Sequence, residues 1–235
     1  MLRVPEGGIT MHKSTDCSLI HSGDYDLIDV EHNATFADAV RFRTTMVEGS
    51  LQAPNIQGEN LIINKGVVRC SGKIRVKRIA GCGTLEVKGD IVCDSIQLTG
   101  SLVSDGNIYC SGNMEMTGTL SNAHRITADE MQLSGVLHGN DIDGRSFTVR
   151  PLHSTMFSRF GMPDYQARSH ADAISVSNVD ASRLTCRTMT VDTATLRNGT
   201  SVESAACSTS LGIDRTSSVL LLTGACRRTH LRAVS

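Results

Sequence analysis

Residues 83–118 read GTLEVKGDIVCDSIQLTGSLVSDGNIYCSGNMEMTG, and this stretch decides the fold. Its aliphatic residues recur at a spacing that continues on both sides, through Ile79, Leu85, Ile91, Ile96, Leu102, Ile108, Met114, Leu120, Ile126, Met131 and Leu137. The steps between them are 6, 6, 5, 6, 6, 6, 6, 6, 5 and 6 residues, which no 3.6-residue helical period can produce. A second apolar residue often follows two positions on, as in Leu85/Val87, Ile96/Leu98, Met114/Met116 and Met131/Leu133. Alternation by two marks a strand with one buried face. Four residues after the first ten marked positions, Gly occurs seven times, so the corners between strands favour a residue without Cβ. The two five-residue steps, Ile91 to Ile96 and Ile126 to Met131, lack that Gly and predict a tighter turn on one edge.

Three such sides sum to 17 or 18 residues, and the longer period is visible directly. Ile74, Ile91, Ile108 and Ile126 make one ladder. Ile79, Ile96, Met114 and Met131 make a second, and Leu85, Leu102, Leu120 and Leu137 a third. The fold expected is an all-β, three-sided β-helix whose coils stack about 4.8 Å apart. Each buried aliphatic contributes about 1.5–3 kcal/mol, and no coil can bury its own face, so stability comes from stacking.

The same period returns near residues 171–224, where Val179, Leu196 and Ile213 are 17 apart, as are Val202/Val219 and Ile174/Val191. Upstream, Val47, Leu51, Ile56, Leu61, Ile63 and Val67 fit a looser version. The organisation expected is a disordered or capping tail over 1–35, a β-helix over 36–145, an interruption over 146–170, a second β-helical segment over 171–224 and a basic tail over 225–235. The interruption holds Pro151, Pro163, Phe147, Phe157, Phe160 and Tyr165. It reads as a loop over the flank, or as an insertion that binds a partner.

Composition agrees with a narrow solenoid. Among 235 residues there is no Trp, aromatic residues are 3%, Gly numbers 21 and Pro 4. A net charge of -1 argues against a nucleic-acid footprint. The longest apolar run near the basic end is Val219 to Leu222, far short of a membrane span. The N-terminus lacks a signal-peptide pattern, and a cytoplasmic location is the expectation. The eight Cys are then expected as free thiols, and the sequons at Asn33 and Asn198 as unmodified.

Residues 83–118, with their recurring aliphatic-x-aliphatic-x-Gly unit and turns such as GDI and GNI, resemble the bactofilin domain, a bacterial polymer-forming cytoskeletal family. The resemblance covers residues 46–145, and 171–224 is similar to the second half of longer, two-part members. It implies a right-handed helix, head-to-tail polymerisation without nucleotide, and a scaffold for cell-envelope or morphogenesis factors. The partners implied are further copies of the chain, with cell-envelope proteins or the inner face of the membrane as additional contacts.

The sequence carries few marks of catalytic chemistry. The stretch GVVRCSGK at 66–73 is one residue too long for a phosphate loop and ends before Ile74, where Ser or Thr should stand. GCG at 81–83 lacks the third Gly of a dinucleotide fingerprint. The Cys spacing contains no C-x-x-C among 70, 82, 93 and 110, and the column Val76–Cys93–Cys110–Ala128 reads as interior, with Cys a small hydrophobe. The eight His show no i, i+4 pair and there is no G-x-S-x-G elbow. Thr188, Thr190, Thr193 and Thr195 suit an outer strand face. The expectation is a non-enzyme with no cofactor, no metal and no nucleic-acid partner.

A solenoid end leaves backbone groups and an apolar interior without a partner. Assembly is therefore expected at an N-terminal coil around Val47, Leu51 and Ile56 and a C-terminal coil around Leu211, Ile213, Val219 and Leu221. Two alternatives stand beside the polymer. An acyltransferase of the hexapeptide-repeat type uses similar sides, but the position after each aliphatic, usually small there, is here Ala80, Glu86, Val92, Gln97 and so on, never Gly. A monomeric interaction module would use 146–170 for recognition.

Overall fold

The computed structural model describes residues 11–14, 18–152 and 167–231. All of its regular elements are strands, in chain order β1 (Met11–Ser14), β2 (Ser18–Ile20), β3 (Gly23–Val30), β4 (Asn33–Phe36), β5 (Val40–Val47) and β6 (Ser50–Ala53). Then follow β7 (Ile56–Cys70), β8 (Ile74–Arg75), β9 (Arg78–Val87), β10 (Ile91–Cys93), β11 (Ser95–Ser104) and β12 (Ile108–Asn122). The last six are β13 (Arg125–Arg150), β14 (Ser169–Ser182), β15 (Leu184–Arg197), β16 (Ser201–Ile213), β17 (Ser218–Thr223) and β18 (Arg227–His230). The longer strands bend around corners without losing their ladder, and every pairing between strands is parallel. The result is a three-sided β-solenoid.

The register puts like over like. On the first side Ile74 pairs with Ile91, Ile91 with Ile108 and Ile108 with Ile126. On the second, Ile79, Ile96, Met114 and Met131 align, and on the third Leu85, Leu102, Leu120 and Leu137. All of these side chains are at most 2% exposed. The column Val76–Cys93–Cys110–Ala128 is also interior.

The corner between the second and third sides carries Gly83, Gly100, Gly118 and Gly135 in one column. A Cβ on Gly118 would lie 2.1 Å from the Gly100 carbonyl oxygen, and φ there is +129°. Stacking at strand spacing leaves no room for a side chain at that bend. The five-residue steps fall on the corner between the first and second sides. The coil that has Gly112 there shows a register shift between Cys110 and Asn113.

Several boundaries differ from expectation. Residues 18–36 form coils rather than a tail: Ile20 pairs with Phe36, Val30 with Val47, and Ile20, Ile28 and Val30 are fully buried. The period is hard to see there because rings fill volume that glycine and aliphatics fill elsewhere. Phe42 stacks on Gly58, whose missing Cβ would sit 2.4 Å from the ring. The interruption also starts later. Residues 146–150 complete β13, and Phe147 is a core residue paired with Val179. Phe157, Phe160, Pro163 and Tyr165 lie outside the described residues. The basic tail contributes β18, paired with β16.

In the second segment Ile174 lies over Met189, not Val191, and Val179 over Ala194, not Leu196. Arg183, with φ of 59°, makes a one-residue corner between β14 and β15 and shortens the coil. Val202/Val219 and Leu196/Ile213 do align.

Candidate functional site: the terminal coil

The last coil is built from three pieces. Leu211 and Ile213 end β16, a turn at Asp214–Ser217 leads to β17, and a turn at Gly224 leads to β18. Asp214 organises the first turn. Its Oδ1 accepts the N–H groups of Thr216 (3.0 Å) and Ser217 (2.9 Å), and its Oδ2 accepts that of Asn198 in the coil below (2.7 Å). Partial burial alone would raise this carboxyl, but the bonds from Asn198, Ser217 and Thr216 outweigh it and hold the pKa below the ordinary 3.8.

Both β17 and β18 pair only with β16, so their outer backbone edge meets no strand among the described residues. The interior-facing residues Val219, Leu222 and Cys226 pack against the core yet stay partly exposed. Outward, Leu220 is 79% and Leu221 57% exposed. Among the described residues no further coil covers this apolar surface.

The candidate assembly residues therefore separate. Leu211, Ile213, Val219 and Leu221 all lie in the last two coils, with Leu211 already buried by β18. Val47, Leu51 and Ile56 do not form an end. Val30 stacks below Val47 and Ala34 below Leu51, and all three are at most 1% exposed. The first described coils are instead β1 to β4, where β1 pairs only with β3 and β2 only with β4. Leu19 is 52% exposed there. Leu220, Leu222, Cys226 and Asp214 were absent from the candidates. The run Leu220–Leu222 was a visible signal, since three leucines in succession cannot all face inward on a strand.

Charge separates the two ends. Residues 18–32 contain Asp24, Asp26, Asp29 and Glu31 and no Lys or Arg. Residues 215–231 contain Arg215, Arg227 and Arg228 and no Asp or Glu. All three of these arginines are exposed.

The interior cysteines act as corner fillers. The thiols of Cys70, Cys110 and Cys207 approach the turn carbonyls of Lys73, Asn113 and Ser210 at 3.6, 3.5 and 3.3 Å. Burial pushes the Cys186 thiol up to about 12, which keeps it protonated and unreactive near neutral pH. Among the described residues, no group of three or more His, Cys, Asp and Glu is arranged to hold a metal ion. His124 and His138 are both exposed, His124 at a corner and His138 on the outer face of the third side. No helix among the described residues is long and apolar enough to cross a membrane.

Comparison with models of protein families, with curated proteins and with solved structures finds no match for this chain. The chain is a parallel β-solenoid, and β17 and β18 pair on one side only among the described residues.

Proposed function

We propose that this chain is a structural solenoid that assembles head to tail, the last coil of one copy receiving the first coil of the next. The observation that carries the reading is the single-sided pairing of β17 and β18. An unpaired parallel edge is a template for another strand. The acidic first coils and the basic last coil favour unlike ends meeting and disfavour like ends. Contact between two different surfaces is heterologous, and when it does not close into a ring it grows a filament. No nucleotide is needed, because the driving forces are edge hydrogen bonds, apolar burial and charge.

The finer reading follows the resemblance to the bactofilins. The filament is a cytoskeletal scaffold in the cytoplasm that holds cell-envelope or morphogenesis factors, at or near the inner face of the membrane. On this reading the chain is not an enzyme and binds neither a cofactor nor nucleic acid.

The test is assembly of the purified chain, followed by negative-stain microscopy and by light scattering at rising concentration. The expected result is filaments whose length grows with concentration. Val219→Asp and Leu221→Asp should each shorten or abolish them while the β-type circular-dichroism spectrum persists. A particle size that stays constant as concentration rises would instead support a monomeric interaction module.

A further inference from the structure

On the corner between the third and first sides, the repeat changes character halfway up the stack. Three successive coils place Gly72, Gly89 and Gly106 there. The next three place His124, Asn140 and Asp172. Bulk and polarity thus appear where the preceding coils tolerate only glycine, and they bound a groove of about 410 Å³. The groove extends over the coils of Tyr109, Arg125, Asp141 and Asp172, about 14 Å at three parallel-strand spacings.

Its one aromatic wall is Tyr109, which points outward from β12 and is 44% exposed. Its neighbour in register on the coil below is Val92, also exposed, so the two make a short apolar strip. In a chain with so few rings, an aromatic residue set outside the core is an available stacking surface.

The remaining lining is polar, and much of it is held by partners. Arg125 lies 3.4 Å from Asp141 and 3.2 Å from Asp143. Asp172 is held by Arg187 at 2.6 Å, with His170 at 3.5 Å. The side-chain amide of Asn107 donates to Asp90 at 3.3 Å, and that of Asn140 to the Ala123 carbonyl at 2.5 Å. Arg125 is shared by two carboxylates and Asp172 is held by Arg187, so the groove offers fixed donors and acceptors, and its lining of one arginine and two aspartates carries at most a small negative charge.

The ligand matching this surface has an apolar face for a phenol ring, many hydroxyls at its edges, little net charge and an extended shape. We infer that the groove of Tyr109, Arg125 and Asp141 binds a neutral oligosaccharide. The C–H face of a sugar ring lies on Tyr109, and its hydroxyls exchange hydrogen bonds with Asn107, Arg125, Asn140 and Asp141. This is a binding site only, and no bond is made or broken in it.

The experiment is calorimetric titration of the intact chain with three neutral linear hexasaccharides, cellohexaose, chitohexaose and mannohexaose, beside an oligogalacturonate of equal length. Saturable binding of at least one neutral sugar is expected, and the charged one should bind more weakly. Tyr109→Ala should weaken binding at least about tenfold, whereas Tyr109→Phe, which keeps the ring, should stay within about threefold. Tyr109 is outside the core, so circular dichroism should match the parent for both variants. Failure of all three neutral sugars to bind would overturn the inference. So would binding unchanged in Tyr109→Ala, or a clear preference for the oligogalacturonate.

Discussion

At the scale of single residues, the solenoid is governed by what fits between coils. Gly118 and Gly139 make the point as a pair. A Cβ on Gly118 would lie 2.1 Å from a backbone oxygen and require φ of +129°, whereas one on Gly139 would meet only the Leu137 side chain at 3.4 Å. Gly118→Ala should therefore cost on the order of 3 kcal/mol in urea unfolding, and Gly139→Ala less than about 1 kcal/mol. Thr45 offers the opposite case. It is fully buried on the second side, between Ile28 and Leu61, and its hydroxyl has no hydrogen-bond partner. Thr45→Val keeps the shape and removes an unsatisfied polar atom, so it should raise stability by about 1 kcal/mol, read as a higher midpoint in urea. Ser18 Oγ and Arg197 Nε are likewise buried without a partner, whereas Asn122 and Ser169 are satisfied. Asn122 donates to the Gly106 carbonyl at 2.7 Å, and the Ser169 hydroxyl accepts the Leu137 N–H at 3.1 Å. The glycine column was legible in residues 83–118, because its spacing is regular. The orphaned hydroxyl of Thr45 was not, because only the register of β5 shows that it faces inward.

At the scale of elements, the coil of β17 and β18 is paired on one side only among the described residues, and Asp214 is its clamp. Three backbone N–H groups converge on one carboxylate, joining the turn before β17 to Asn198 below it. The folded pKa lies under the unfolded value near 3.8, so the ionised form is the one stabilised by folding. That contribution is complete above the unfolded pKa and is lost as pH falls through the folded one. Amide exchange at Ser217 and Ser218, corrected for intrinsic rates, should stay slow from neutral pH down to about 5 and quicken below about 4. Asp214→Ala should give fast exchange at neutral pH and remove most of the acid step, while exchange in β11 and β12 stays unchanged. Equal loss of protection throughout the stack would show that Asp214 is no local clamp. The second-segment coils were placed nearly correctly by the 17-residue spacing. The one-residue corner at Arg183 shifted Ile174 and Val179 to partners two residues earlier, and no residue pattern announces such a turn.

At the scale of the whole molecule, the ion pairs running up the outer faces hold little energy individually because they are exposed. Arg69–Glu86, Lys77–Glu59 and Lys88–Asp105 each link neighbouring coils at 2.6–3.0 Å. The larger electrostatic feature is the contrast between ends. If acidic first coils meet basic last coils, assembly should weaken with salt, since exposed charges are screened over about 8 Å at physiological ionic strength. The double substitution Arg227→Glu/Arg228→Glu should raise the concentration needed for filaments about tenfold or more, and mixing it with the parent chain should shorten parent filaments. Salt-independent assembly by the double variant at the parent's threshold would leave apolar burial and edge pairing as the only driving forces.

Sequence alone determined the β-solenoid, its three sides and its core ladders, because a coil repeats locally and each repeat carries its own aliphatic and glycine marks. It also showed the leucine run that the last coil exposes. The tertiary structure decided which coils at residues 18–36 were concealed by ring-for-glycine exchange, that Val47, Leu51 and Ile56 lie inside the stack, and which outer residues meet at one corner. Those are properties of coils in contact. Val47 became an interior residue through the strand beneath it, and Tyr109 became a groove wall through residues one to three coils above.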